Sequence, residues 1–144
     1  MAIFTISDLH LSLNTDKPMD VFKGWQGYVQ KLEENWRKFV SHNDTVVIPG
    51  DISWELKLEN TVHDFAFINS LPGKKLIIKG NHDLWWSTKR KVNEFFEENG
   101  FNSISIIFND AVVAEERAIC GSRGWFYDST DQDEKVVLRQ HRSR

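Results

Sequence analysis

Cysteine is almost missing from this chain of 144 residues: Cys120 stands alone, so no disulfide can form within it. That excludes a disulfide-stapled scaffold and fits a reducing compartment, for which the cytoplasm is the expected location. In Ala118-Ile119-Cys120-Gly121 the thiol reads as a buried structural group and not a nucleophile. No run of like charge occurs, and the net charge is −3 with a pI near 5.9. A protein that grips nucleic acid through its backbone usually carries a basic surface, so no obligatory nucleic-acid partner is expected. No apolar stretch approaches a membrane span, and Asp8 and His10 interrupt the apolar start, which lacks a basic leader. Neither an internal repeat nor a low-complexity segment is present. A hydrophobic share of 40% with 27% charged residues is instead that of one globular domain with a core.

What the chain does have is three apolar runs that end in polar clusters. Ala2-Ile3-Phe4-Thr5-Ile6 runs into Ser7-Asp8-Leu9-His10, and Thr45-Val46-Val47-Ile48 into Pro49-Gly50-Asp51. Leu76-Ile77-Ile78 runs into Lys79-Gly80-Asn81-His82-Asp83. Each run reads as a buried strand. Between them, Trp25, Tyr28, Val29, Leu32, Trp36, Phe39 and Val40 form one stripe of a helix over residues 25–40. Leu56, Leu58, Val62, Phe65, Ala66, Ile68 and Leu71 predict a second helix over 55–71. A third runs from Ser87 or Thr88, as N-cap, to Asn99-Gly100. Alternating strands and helices of these lengths imply right-handed βαβ units and a parallel sheet. Beyond residue 103 the pattern changes. Ile104 to Phe108 and Ala111 to Ala114 read as two strands joined by a tight turn at Asn109-Asp110, with a third short strand at Ala118-Ile119-Cys120. These suggest a second, antiparallel or mixed layer. The domain is read as residues 1–127, followed by a charged tail over 128–144.

In open parallel sheets ligands bind at the C-terminal strand edge, and here that edge carries metal-ligand side chains. Asp8 and His10, two apart, can point to the same side. One carboxylate and one imidazole suit Mn²⁺, Fe²⁺ or Zn²⁺. Asp51 can bridge two cations, and Gly50 before it lets the backbone pass close to the site. Asn81 offers a neutral oxygen. His82, on a sharp turn, is read as facing substrate, with Asp83 orienting its ring through a hydrogen bond. His42 and His63 are read as surface residues, and Trp54, Trp85 and Trp86 as packing under the site loops.

Ser7-Asp8-Leu9-His10, Gly50-Asp51-Ile52-Ser53-Trp54 and Gly80-Asn81-His82-Asp83 together resemble the first three signature blocks of the calcineurin-like metallophosphoesterases. The likeness spans roughly residues 2–125. It is nearest to bacterial members with Asp-Ile-Ser-Trp and Arg-Gly-Trp segments, here Asp51 to Trp54 and Arg123 to Trp125. The resemblance implies an α/β fold, a metallophosphoesterase-type sheet sandwich flanked by helices, with the N-terminal βαβαβ part present. It implies two divalent ions (Mn, Fe or Zn), the first bound by Asp8 and His10, with Asp51 bridging and Asn81 on the second. A hydroxide between the ions would hydrolyse a phosphomonoester or phosphodiester, in a small molecule or nucleotide. His82 would serve the leaving oxygen, and Arg123 could meet a substrate phosphate.

The family's later histidines have no counterpart. His141, the one histidine after His82, follows no apolar strand and reads as tail. The second ion, left with Asp51 and Asn81, is then expected to bind weakly. The chain looks truncated at its C-terminus, and a catalytically impaired remnant is the alternative reading. Bare apolar faces on strands near Ile104 to Ala114 would favour self-association.

Overall fold

The computed structural model describes residues 1–17 and 19–122. Arg123, the charged tail and His141 lie outside them. Four strands form a parallel sheet in chain order: β1 (Ile3–Thr5), β2 (Thr45–Ile48), β3 (Lys74–Ile77) and β4 (Ile104–Ile106). The register pairs Phe4 with Val46, Val47 with Leu76 and Ile77 with Ile106. The helices α1 (Tyr28–Phe39), α2 (Val62–Ser70) and α3 (Lys89–Glu98) connect successive strands. Side chains from all three helices, including Trp36, Phe65, Ile68, Val92 and Phe96, join Ile77 and Ile106 of the sheet in one core. Phe65 sits at its centre, edge-to-face with Trp85 at 5.1 Å and with Phe96 at 4.9 Å. Full burial of such an aromatic contributes on the order of 3 kcal/mol.

A second, antiparallel sheet pairs β5 (Asp110–Ala114) with β6 (Arg117–Gly121). Gly121 lies so close to the first sheet that a β-carbon there would be 2.5 Å from Ile107 Cγ2 and 3.0 Å from Ile78 Cδ1. Ile78 and Ile107 alternate with Ile77 and Ile106, which face the helices, so β6 meets the opposite face. The two-layer expectation holds, but its membership changes. β4 belongs to the parallel sheet, and the hairpin is β5–β6, turning at Glu115-Glu116. Ile104, Ile106 and Ile107 are buried, so the bare apolar face expected there is reduced to exposed residues such as Val113.

Several boundaries differ for local reasons. α1 starts at Tyr28, not Trp25, because Gly24 and Gly27 take left-handed φ of 95° and 63°. Phe39 leaves its stripe and is 62% exposed, with the Lys38 ammonium over its ring. α2 is preceded by a 3-10 turn at Leu58–Thr61, and residues 55–57 are loop. β3 begins at Lys74 and takes in Lys75, whose buried Nζ donates to the carbonyls of Leu71 and Gly73 and to Ser103 Oγ. α3 starts as read, with the Thr88 hydroxyl accepting from the Lys91 amide.

Candidate metal centre

The loops leaving β1 and β2 stay in register beyond the strands. The amides of Asp8, His10 and Leu11 donate to the carbonyls of Gly50 (3.1 Å), Asp51 (3.0 Å) and Ile52 (2.8 Å), and the Trp54 amide returns to Leu11 at 2.9 Å. Asp8, His10 and Asp51 all have left-handed φ, of 58°, 45° and 53°. Non-glycine residues rarely adopt that conformation, and it concentrates at sites where geometry is imposed for function. Tyr28 adds a bond from its hydroxyl to the His10 carbonyl at 2.8 Å, while burial raises its phenol pKa.

The loop after β3 is locked onto the loop after β2. A β-carbon at Gly50 would lie 2.4 Å from Gly80 Cα, and one at Gly80 would lie 2.1 Å from Asp51 Oδ1. Only two facing glycines allow this approach, which explains why both blocks open with that residue. Asp83 completes the lock. It is fully buried, and each carboxylate oxygen accepts two bonds: Oδ2 from the amides of Asp51 (2.9 Å) and Gly80 (2.8 Å), Oδ1 from the Ile52 amide (2.8 Å) and the Trp85 indole (2.9 Å). Burial raises its pKa, opposed by those bonds. A second buried carboxylate, Asp64 on α2, accepts from the Leu13 amide at 2.9 Å and the Ser53 hydroxyl at 2.5 Å, joining the first two loops. Its pKa is raised by burial as well.

On this frame one donor atom from each of Asp8, His10 and Asp51 lies within 4.8 Å of the others, and Asp8 Oδ1 is 3.7 Å from His10 Nε2. Asp51 is buried, His10 half-buried and Asp8 exposed, so the cluster opens to solvent. Two carboxylates this close repel each other and favour a cation between them. An ion with donors at about 2.1 Å holds them up to about 4 Å apart; the Asp8–His10 pair at 3.7 Å meets this, and the three close on a divalent metal with a shift of less than about 1 Å. Asp51 Oδ1 also accepts the His82 amide at 2.9 Å. Above the cluster three rings meet. His10 stacks on Trp54 (centroids 4.7 Å, planes 19° apart), Trp54 lies 5.5 Å from His82, and the two imidazoles are 6.0 Å apart.

Asp8, His10 and Asp51 are therefore brought together. Asn81 and His82 follow Gly80 on the adjoining loop, both exposed. Asp83 is a correction: its oxygens face four other donors, so it ties loops together in place of orienting the His82 ring. Trp85 and Trp86 pack beneath the loops, against Phe65 and Phe108 respectively, while Trp54 sits among the site side chains. His42 and His63 are exposed, as read. The Tyr28 and Asp64 contributions were invisible in the sequence, because neither residue lies near a motif. The Trp54 contact had one signal, its place three residues after Asp51.

A family model described as calcineurin-like phosphoesterase matches residues 1–141. Comparison with curated protein sequences finds no match. Among solved structures, the crystal structure of a protein of unknown function from Aquifex aeolicus aligns with 99% of this chain and 70% of its own. Its identity is 23% and its TM-score 0.50, so that likeness concerns the fold.

Proposed function

We propose that this chain, which belongs to the calcineurin-like phosphoesterase family, hydrolyses a phosphomonoester or phosphodiester at the cluster of Asp8, His10 and Asp51. The observation that carries this reading is the convergence of those donors within 4.8 Å, from two strand ends, on left-handed backbone. Divalent metal held there supplies Lewis acidity toward phosphoryl oxygens and lowers the pKa of the attacking water. In this reading Asp8 and His10 bind one ion, Asp51 is shared, and Asn81 contributes to a second. His82 donates a proton to, or stabilises charge on, the leaving oxygen. The hydrogen bond that its backbone amide donates to Asp51 Oδ1 keeps the two residues in step. Asp83 acts through the backbone of Asp51, and Arg123 meets a substrate phosphate.

The exposed side of the cluster suits a small phosphate ester or a nucleotide, and the net charge of −3 speaks against a nucleic-acid polymer. No helix among the described residues is long and apolar enough to cross a membrane. Cys120 is exposed on β6, not buried as its sequence context suggested, and as the lone cysteine of the chain it supports a cytoplasmic setting. The donor count favours one further reading, a weakened site: among the described residues the His/Cys/Asp/Glu donors number three, few for two ions.

Mn²⁺-dependent hydrolysis of bis(p-nitrophenyl) phosphate and p-nitrophenyl phosphate, beside the Asp51→Asn variant, tests the proposal. Activity in the parent that vanishes in the variant supports it. Activity unchanged by Asp51→Asn refutes the assignment. A folded chain that binds Mn²⁺ and hydrolyses neither ester supports the weakened site.

A further inference from the structure

The contact of His10, Trp54 and His82 has no part in ligation or proton transfer, yet each ring touches the other two. Resting on the reading above, we propose that Trp54 is a positioning residue that sets the separation between the metal-binding imidazole and the imidazole that serves the leaving group. His10 lies nearly flat on the indole, at 4.7 Å and 19°, so rotation about its χ2 is blocked on that side. His82 meets the same indole at 5.5 Å, tilted by 55°. The Trp54 backbone amide donates to the Leu11 carbonyl, and the indole Nε1–H donates to Met19 Sδ at 3.4 Å, which holds the ring in place. The Lys17 ammonium lies over the ring, 5.7 Å from its centroid. One rigid plane thus bears on both histidines. A flexible side chain at residue 54 would leave two imidazoles on separate loops with no common reference.

The test uses the whole chain, Mn²⁺ alone as probe, and the variants Trp54→Phe and Trp54→Leu. Calorimetric titration measures Mn²⁺ affinity, and NMR follows paramagnetic broadening of the His82 ring protons, assigned through a His82→Gln variant. Loss of the stack should weaken Mn²⁺ binding roughly tenfold in Trp54→Leu. The His82 ring signals should broaden less in that variant at equal occupancy. Phenylalanine keeps a flat ring, so Trp54→Phe should recover most of both. A role confined to fold stability would leave His82 broadening unchanged at equal occupancy. Wild-type affinity and broadening in Trp54→Leu overturn the inference alone, as does failure of Trp54→Phe to recover either. No Mn²⁺ uptake by the parent chain overturns both it and the functional reading. If Trp54→Leu does not fold, parent and Trp54→Phe must still share strong His82 broadening, and its absence in either overturns the inference.

Discussion

Replacing Asp83 by asparagine keeps shape and volume, removes the charge and turns one of the two acceptor atoms into a donor. The carboxylate accepts four hydrogen bonds, two at each oxygen. An asparagine oxygen keeps one pair, while its NH₂ group is turned on two N–H donors. In one orientation the amides of Asp51 and Gly80 are orphaned; in the other, the Ile52 amide and the Trp85 indole. Hydrogen bonds to a charged acceptor contribute about 1.5–3 kcal/mol each, so two lost bonds cost roughly 3–6 kcal/mol. Relief from burying a charge, the effect that raises the Asp83 pKa, returns part of this. A net loss of about 3 kcal/mol is expected, out of a typical total of about 5–15 kcal/mol. For a domain of this size that lowers Tm by about 10 °C. Urea unfolding followed by tryptophan emission and circular dichroism measures the loss directly. Mn²⁺ affinity should fall as well, since either orientation releases the amide of Asp51 or of its neighbour Ile52. A stability loss below about 1 kcal/mol, with Mn²⁺ affinity intact, would refute the view of Asp83 as the clamp between the second and third loops.

Gly80→Ala places a methyl group 2.1 Å from Asp51 Oδ1. It should lower stability by about 1–3 kcal/mol and abolish Mn²⁺ binding, and calorimetry showing unchanged affinity would contradict the close seating of Gly80 on Asp51. Lys75 gives a pH signature. Burial, followed by repulsion from Arg37, pulls its pKa from 10.5 to about 8. Between those values the unfolded chain holds a proton that the folded chain has released, so stability rises with pH through the window. The cost of the buried charge is fully present below about pH 8. Its removal is worth on the order of 3 kcal/mol. Unfolding curves from pH 7 to 10 should show this rise, and Lys75→Met should abolish it; a flat parent curve would contradict the burial argument.

The site was legible where side-chain chemistry and strand endings coincide. Asp8, His10 and Asp51 each follow an apolar run, and a parallel sheet gathers such endings whatever the details of its loops. Asp83 shows the limit of that logic: a carboxylate beside a histidine suggests a hydrogen-bonded pair, but two of its four donors, the amides of Asp51 and Ile52, come from another loop and the other two, Gly80 and Trp85, from its own. The β5–β6 hairpin was misread for a related reason. Its turn residues, Glu115 and Glu116, take φ of 51° and 59°, a geometry usually signalled by Asn-Gly. Asn109-Asp110 looked more turn-like, and there the chain does bend, with Asn109 at φ 49°. Lys75 hid the start of β3, since a lysine within a sheet is unexpected until its three acceptors are known.

The left-handed backbone at Asp8, His10 and Asp51 has an evolutionary corollary. Each such residue carries roughly 1 kcal/mol of conformational strain that glycine would not. Glycine at any of the three would therefore relax the fold while deleting a donor. Selection for stability alone would drift toward glycine there, and three retained side chains are what a trade of robustness for chemistry leaves behind.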